Sequence, residues 1–281
     1  MWEELTRQNY QYYLPLAYEW SQKIEQTAFP LFCDGVKTRD DFYRWAQEGI
    51  ERENEHLLIY KIGNQPIAWI HYFVLQDEKQ LGLCTFFIIK SVATVMSDLM
   101  QLFQQFYCQY KLIFYVPHQN YHLCTVLDQI GQKIDKQYVD IAHLDNLTAQ
   151  DSIETVQLVT SENRTQLNDL LAKIEYGNHI AERLLTEPHI WDVFIYLSNH
   201  QPIAILYASH KNPIIHEIFG IVTIKKVTEG VIADLVRASL SHSRSNEARF
   251  LYFFTDDKEH AIVSQLGFKM LTKAICYQIL F

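Results

Sequence analysis

Phe253–Phe268, FFTDDKEHAIVSQLGF, reads as the end of a buried strand running into a short helix. The strand begins at Phe250, and Phe250–Phe254 is an unbroken apolar run too short to be a helix of its own. Glu259–Leu266 follows with helix-forming residues, and Gly267 stands where a helix commonly ends on a left-handed residue. The same signals occur 136 residues earlier: Leu112–Val116 is apolar, Tyr121–Ile130 has a helical pattern, and Gln129, Gly131 and Lys133 match Gln265, Gly267 and Lys269.

Extending this comparison over residues 56–145, each against the residue 136 further on, gives sixteen identities in ninety positions without a gap. Ordinary composition would give roughly five. The clearest block is Gln65-Pro66-Ile67-Ala68 against Gln201-Pro202-Ile203-Ala204, preceded by Ile59-Tyr60 and Ile195-Tyr196. Ile88, Lys90, Val95, Asp98, Leu99 and Phe114 match Ile224, Lys226, Val231, Asp234, Leu235 and Phe250. A constant register over this length is the mark of an internal duplication.

Both copies carry the same order of elements. In the second, Thr155–Val159 is a strand, Asn163–Ile174 and His179–Leu185 are helices, and Val193–Leu197 and Ile203–Ser209 form a hairpin. A third strand, Ile214–Ile224, precedes the amphipathic helix Val231–His242, and Lys269–Phe281 closes the chain as one strand or a tight pair. The first copy runs Leu57–Ile62, Ile67–Leu75, Leu83–Ile89, Val92–Tyr107, Leu112–Val116, Tyr121–Ile130 and Tyr138–Leu144, with helices at Asn9–Ile24 and Asp40–Glu53 before it. No counterpart of the opening strand is expected there. The polar stretch 145–153 is the natural linker, so the expected domains are residues 1–147 and 153–281.

The 281 residues are enough for two ordinary domains, and 48% hydrophobic with 20% charged residues is a globular balance. The net charge is -9, with -6 over residues 1–150 and -3 over 151–281. Neither half is the basic surface that a phosphate-backbone reader presents, so nucleic acid is not an expected partner. No run approaches the ~20 apolar residues of a membrane span. The polar start and the five scattered cysteines, without a CxxC pair or disulfide framework, lead to the expectation of a reducing cytoplasm. None of the twelve histidines has a recognisable metal-ligand spacing, and no metal site is expected.

The order strand, two helices, three antiparallel strands, helix, strand, helix, strand resembles the Gcn5-related N-acetyltransferase superfamily. The likeness is plainest at Ala261 and the Leu266-Gly267-Phe268 ending, and it is stronger over 155–281 than over 56–145. It implies duplicated units, each a mixed central sheet flanked by helices, and a V-shaped opening between the two central parallel strands. There the pantetheine of acetyl-CoA or another acyl-CoA lies like an extra strand, with its pyrophosphate on backbone amides entering the central helix.

The family's pattern at that loop is Gln/Arg-x-x-Gly-x-Gly/Ala, and its counterpart is Val227-Thr228-Glu229-Gly230-Val231-Ile232. Only the middle glycine is present. Glu229 brings negative charge, and Ile232 is large enough to crowd a phosphate. The first copy has Ser91-Val92-Ala93-Thr94-Val95-Met96, with no glycine to let a pyrophosphate approach the backbone. The resemblance therefore places the cofactor in the second copy, on Val222, Thr223, Ile224, Thr228, Glu229, Gly230, Val231 and Ile232. Lys225, Lys226, Arg237 and Arg244 either add phosphate contacts or are solvated charges.

The family often carries its leaving-group acid as a Tyr four residues before the glycine of Leu-Gly-Phe, but those places hold Val263 and Leu127. A carboxylate on the strand before the central helix is its commonest base, and Glu217 has that position. His216 points to the opposite face. Tyr252 and Asp256 stand at the end of the strand after the central helix, with Asp257 beside them. Asp256 and Asp257 also suit the capping of the following helix. The expected function is acyl transfer to a small-molecule or peptide amine, by direct attack on the thioester. The alternatives are a binding or assembly module that has lost the chemistry, and a transferase using aminoacyl-tRNA. A homodimer is a further expectation.

Overall fold

The computed structural model describes all residues except 31, 148–154, 175–179, 182–183 and 185–187. The chain forms two compact units, Met1–Gln137 with Thr272–Phe281, and Tyr138–Leu271. The units therefore do not coincide with the contiguous halves read from the sequence. The last strand segment of each half belongs to the other unit.

In the first unit the sheet order is β1 (Trp2–Glu4), β3 (Glu55–Ile62), β4 (Gln65–Leu75), β5 (Gln80–Ile88), β6 (Lys111–Pro117) and β13 (Lys269–Leu280, from Thr272 on). All neighbours are antiparallel except β5 and β6. β1 is the opening strand that the sequence did not reveal. Three residues carry no period to read, and its place is fixed by pairing with Leu58–Tyr60. The helices are α1 (Leu14–Ser21), α2 (Arg39–Glu51), α3 (Val92–Phe106) and α4 (Tyr121–Ile130). Thr38 starts α2 through a capping box with Asp41. Val95, Leu99 and Phe103 of α3 recur at helical spacing, and all three are buried against Phe86, Phe114 and Tyr277 in one core.

The second unit repeats the plan with β8 (Val156–Leu158), β9 (Trp191–Ser198), β10 (Gln201–Ser209), β11 (Ile215–Thr223), β12 (Phe250–Thr255) and the Tyr138–His143 part of β7 (Gln132–His143). β11 and β12 are its parallel pair, and β7 runs antiparallel to β12. Helix α5 (Arg164–Leu171) covers one face; α6 (Glu229–Ser245) and α7 (Asp257–Gln265) cover the other. The helix expected at His179–Leu185 lies mostly outside the described residues. α7 ends as Gly267 requires: its φ is +95°, Gly267 N–H donates to Ser264 O and Phe268 N–H to Val263 O. That is the double bond of a Schellman ending.

The duplication is less uniform in space than in sequence. Ala68 and Ala204 are equivalent hairpin positions, yet they pair with Ile88 and Thr223, so β5 and β11 correspond at an offset of 135. In β6 and β12, the pairs Gln80–Lys111 and Ile215–Phe250 make it 139. Loops of different length absorb the slips.

Candidate functional site

Each unit opens its sheet at the parallel pair. In the second, β11 and β12 are bonded from Ile215/Phe250 to Ile218/Phe253 and part beyond that point. Phe219 is an extra residue there, since Tyr207 pairs with Gly220 and Ala208 with Ile218. A bulge of this kind bends a strand and ends its pairing. Among the described residues no segment bridges β11 and β12 past the bulge.

The first unit has the same opening, and its own chain fills it. β5 and β6 pair only over Gln80–Gly82 and Lys111–Ile113, with a bulge at Cys84. Thr27 and Ala28, strand β2, pair with Phe87 and Phe86 of β5, and Phe29 N–H donates to Tyr115 O of β6 at 2.6 Å. Asn120 fastens the insert: its Nδ2 donates to Thr27 O at 3.0 Å while its Oδ1 caps α4 on Leu123 N–H. All three are buried. Residues 27–29 thus lie as an extended segment in the gap between β5 and β6.

At the mouth of the second opening stands the start of α6. Thr228 is its N-cap, makes no side-chain capping bond, and is followed by Glu229 and Gly230. A Cβ on Gly230 would meet nothing nearer than Thr228 Oγ1 at 3.7 Å, so the fold itself does not demand glycine there. Val231 and Ile232 turn into the core with Leu235 and Leu266. Ile232 therefore does not crowd the loop, contrary to the expectation from its size. Lys225 and Lys226 are exposed beside the loop. Arg237 is bonded to Asp234 at 2.8 Å, and Arg244 to Leu147 O at 2.7 Å. Val222 and Ile224 pack at the edge of the α5-side core; Thr223 closes the ladder opposite Ala204.

Glu217 is half-buried and stands in register with Tyr252. Their neighbours Ile218, Leu251 and Phe253 face α6 and α7, so strand alternation puts Glu217 and Tyr252 together on the α5 side. His216 points the other way, its Nδ1 2.9 Å from Ser243 Oγ of α6, and burial pushes its pKa down. Asp256 is the N-cap of α7; its Oδ1 accepts from Glu259 N–H at 2.7 Å and Glu259 closes the capping box. Asp257 Oδ1 accepts from Tyr138 at 2.7 Å. Val263 and Leu127, in the places of the family's leaving-group acid, are fully buried.

Two polar clusters were not read from the sequence. At the end of β12, the wholly buried Asp140 accepts from Thr255 Oγ1 at 2.6 Å and stands 3.0 Å from His260 Nδ1, while Tyr138 stacks on His260 at 4.0 Å. Asp140 belongs to the strand segment that crosses over from the first half, so no local signal joins it to His260, 120 residues on. In the first unit the equivalent positions hold Tyr277 and Cys124.

The other cluster is Glu55, His71 and Cys84 in the first unit, whose ligating atoms all lie within 4.8 Å of one another. Glu55 Oε2 is 2.7 Å from His71 Nε2, and its Oε1 accepts from Arg52 at 2.6 Å. Burial works to raise the Glu55 carboxyl, but the bonds from His71 and Arg52 prevail and hold it at about 2. Burial pushes His71 down and the Cys84 thiol up. A separate cavity of about 240 Å³ lies between α5 and β9, lined by Arg164, Leu167, Leu171, Trp191 and Val193 among others. It includes no residue of β11, β12 or α6.

No protein-family model and no curated protein matches the sequence. Among solved structures, the chain is similar to a GCN5-related N-acetyltransferase from Sphaerobacter thermophilus, with a TM-score of 0.71 at 9% identity over 99% of this chain and 95% of that one. It is similar to a tandem GNAT protein from the clavulanic acid biosynthesis pathway, with a TM-score of 0.60 at 8% identity over 100% and 98% of the two chains. A GCN5-related N-acetyltransferase from Kribbella flavida gives 0.56 at 12% identity over 83% and 92%. At such identities the likeness is one of architecture, and the chain has the duplicated fold of the GCN5-related N-acetyltransferases.

Proposed function

We propose that the protein is an acyl-CoA-dependent N-acyltransferase, with acetyl-CoA the first donor to test, whose cofactor site lies in the second unit. The observation that carries this reading is the parting of β11 and β12 beyond Ile218 and Phe253, at the bulged Phe219, in the unit whose central helix has a glycine in its first turn. In the first unit Thr27–Phe29 lie between β5 and β6 at the corresponding place. The start of α6 suits a pyrophosphate, because its N-cap makes no side-chain bond and Gly230 leaves its backbone open.

When bound, the cofactor supplies an acyl group activated as a thioester. In this reading Thr228–Ile232 hold the pyrophosphate and Val222–Ile224 flank the pantetheine. Glu217 receives the proton of the attacking amine, with Tyr252 beside it in register. Asp256, already committed to its helix cap, contributes placement of α7. The negative net charge favours a cationic acceptor, a small molecule or a peptide amine. Val263 has no proton to donate, so a leaving thiolate would draw its proton from solvent and the rate would depend on how well the chain places the amine.

Acetyl-CoA should raise the thermal midpoint by mass action. Gly230→Trp should abolish the shift and Thr94→Trp should leave it intact. Absence of any shift at millimolar acetyl-CoA would sink the acetyl-CoA reading, and equal loss in both variants would remove the cofactor from the second unit. A second reading, binding without catalysis, draws on the buried Val263 and Leu127. It predicts the same shift with no thiol released in the presence of amines.

A further inference from the structure

Glu55, His71 and Cys84 come from three elements and meet for reasons that the fold alone does not impose. Glu55 opens β3, His71 lies in β4, and Cys84 is the unpaired extra residue of the β5 bulge, since His71 pairs with Thr85 and Tyr72 with Leu83. A bulge re-aims the side chain it carries. By sheet register the equivalent positions of the second unit are Trp191, Tyr207 and the bulged Phe219. There the same space is closed by ring contacts, with Trp191 and Phe219 centroids 4.9 Å apart and Trp191 and Tyr207 6.0 Å. One copy fills this place with aromatic packing; the other brings a carboxylate, an imidazole and a thiol together there.

The surroundings hold the three donors in place. Helix α2 is pressed against the imidazole so closely that a Cβ on Gly49 would lie 2.4 Å from His71 Nε2 and 3.0 Å from Glu55 Oε2. Arg52 binds Glu55 Oε1 and leaves Oε2 directed at the imidazole, as an outer partner fixes a ligating carboxylate. Mixed sulfur, nitrogen and oxygen donors suit zinc, and three protein donors leave a fourth position for water.

We propose that Glu55, His71 and Cys84 form a binding site for a zinc-class divalent metal ion. Metal entry makes bonds to Cys84 Sγ, His71 Nε2 and Glu55 Oε2. The thiol proton passes to solvent, the imidazole gives up its Nε2 proton and takes one from solvent on Nδ1, so that one proton is released in all, and the bond between His71 and Glu55 is given up. No oxidation state changes. The site is independent of acyl transfer, because it lies in the unit whose opening is filled by β2.

The test uses the full chain with cobalt(II) as a spectroscopic probe. Wild-type protein should show tetrahedral ligand-field bands and a sulfur-to-cobalt charge-transfer band, both displaced by zinc. Cys84→Ser should lose the charge-transfer band and bind zinc about 100-fold more weakly, while Arg52→Gln should weaken zinc about tenfold. X-ray absorption of the zinc-loaded wild type needs no variant and should show sulfur at about 2.3 Å. A zinc shell without sulfur, no charge-transfer band, or an unchanged band in Cys84→Ser would overturn the site.

Discussion

Gly230 is a residue whose importance can be separated from folding. It sits in the first turn of α6 with open space where a Cβ would be. Glycine in a helix is less stable than alanine by roughly 0.5–1 kcal/mol. Gly230→Ala should therefore raise stability by about that amount, measured as a higher urea midpoint, while weakening acetyl-CoA. A variant both less stable and unchanged in binding would show that glycine serves the fold. His216 supports a prediction in pH. Its folded pKa is depressed by burial below the ordinary 6.5, so unfolding takes up a proton in the interval below that value. The stabilisation is complete above pH 6.5 and lost as the pH falls through the interval. His216→Gln should flatten this part of the stability profile of the second unit; an unchanged slope would assign it to other groups. Gly230 and the capping role of Asp256 were legible in the sequence because both act within one helical turn. The pairing of Asp140 with His260 was not, because its two members lie on different elements.

The elements themselves followed local pattern closely. The segment Val92–Tyr107 and the hairpins around Gln65-Pro66 and Gln201-Pro202 became helix and strands where expected, with Val95, Leu99 and Phe103, four residues apart, on the buried face of the helix. What local pattern missed were the short strands β1 and β2, of three and two residues, which exist only through their partners. β2 has the larger consequence, since it occupies the opening between β5 and β6. Strand β13 likewise serves a unit other than the one its sequence copy suggests. Its residues from Ala274 pair with β6, and Tyr277 is wholly buried in the first core. A chain ending at Leu271 should lose the unfolding transition of the first unit and keep that of the second, as read by hydrogen exchange of β4 and β10. For a point change, Tyr277→Ala should destabilise the first unit by about 3–5 kcal/mol, the range for emptying a large aromatic site.

At the scale of the molecule, the duplicated sequence and the two compact units are different partitions of one chain. The first unit is 1–137 with 272–281, the second 138–271. A rearranged chain joining 272–281 through a flexible linker directly after 137 should fold as a single cooperative unit. Residues 1–147 alone should not match it, because β6 would keep an unpaired edge. Equal stability of the two would mean that the strand from the second half is dispensable.

The sequence by itself determined the order of the longer helices and strands, the duplication and the class of fold, because hydrophobic period and helix caps are written within a few neighbouring residues. Only the tertiary structure decided which unit each closing strand completes, that Thr27–Phe29 fill the first opening, and that one bulge carries Cys84 to His71 while its twin carries Phe219 to Trp191. Those outcomes depend on backbone hydrogen bonds between distant strands. The groups that make such bonds are the same in nearly every residue, so the choice of partner leaves no mark in the local sequence.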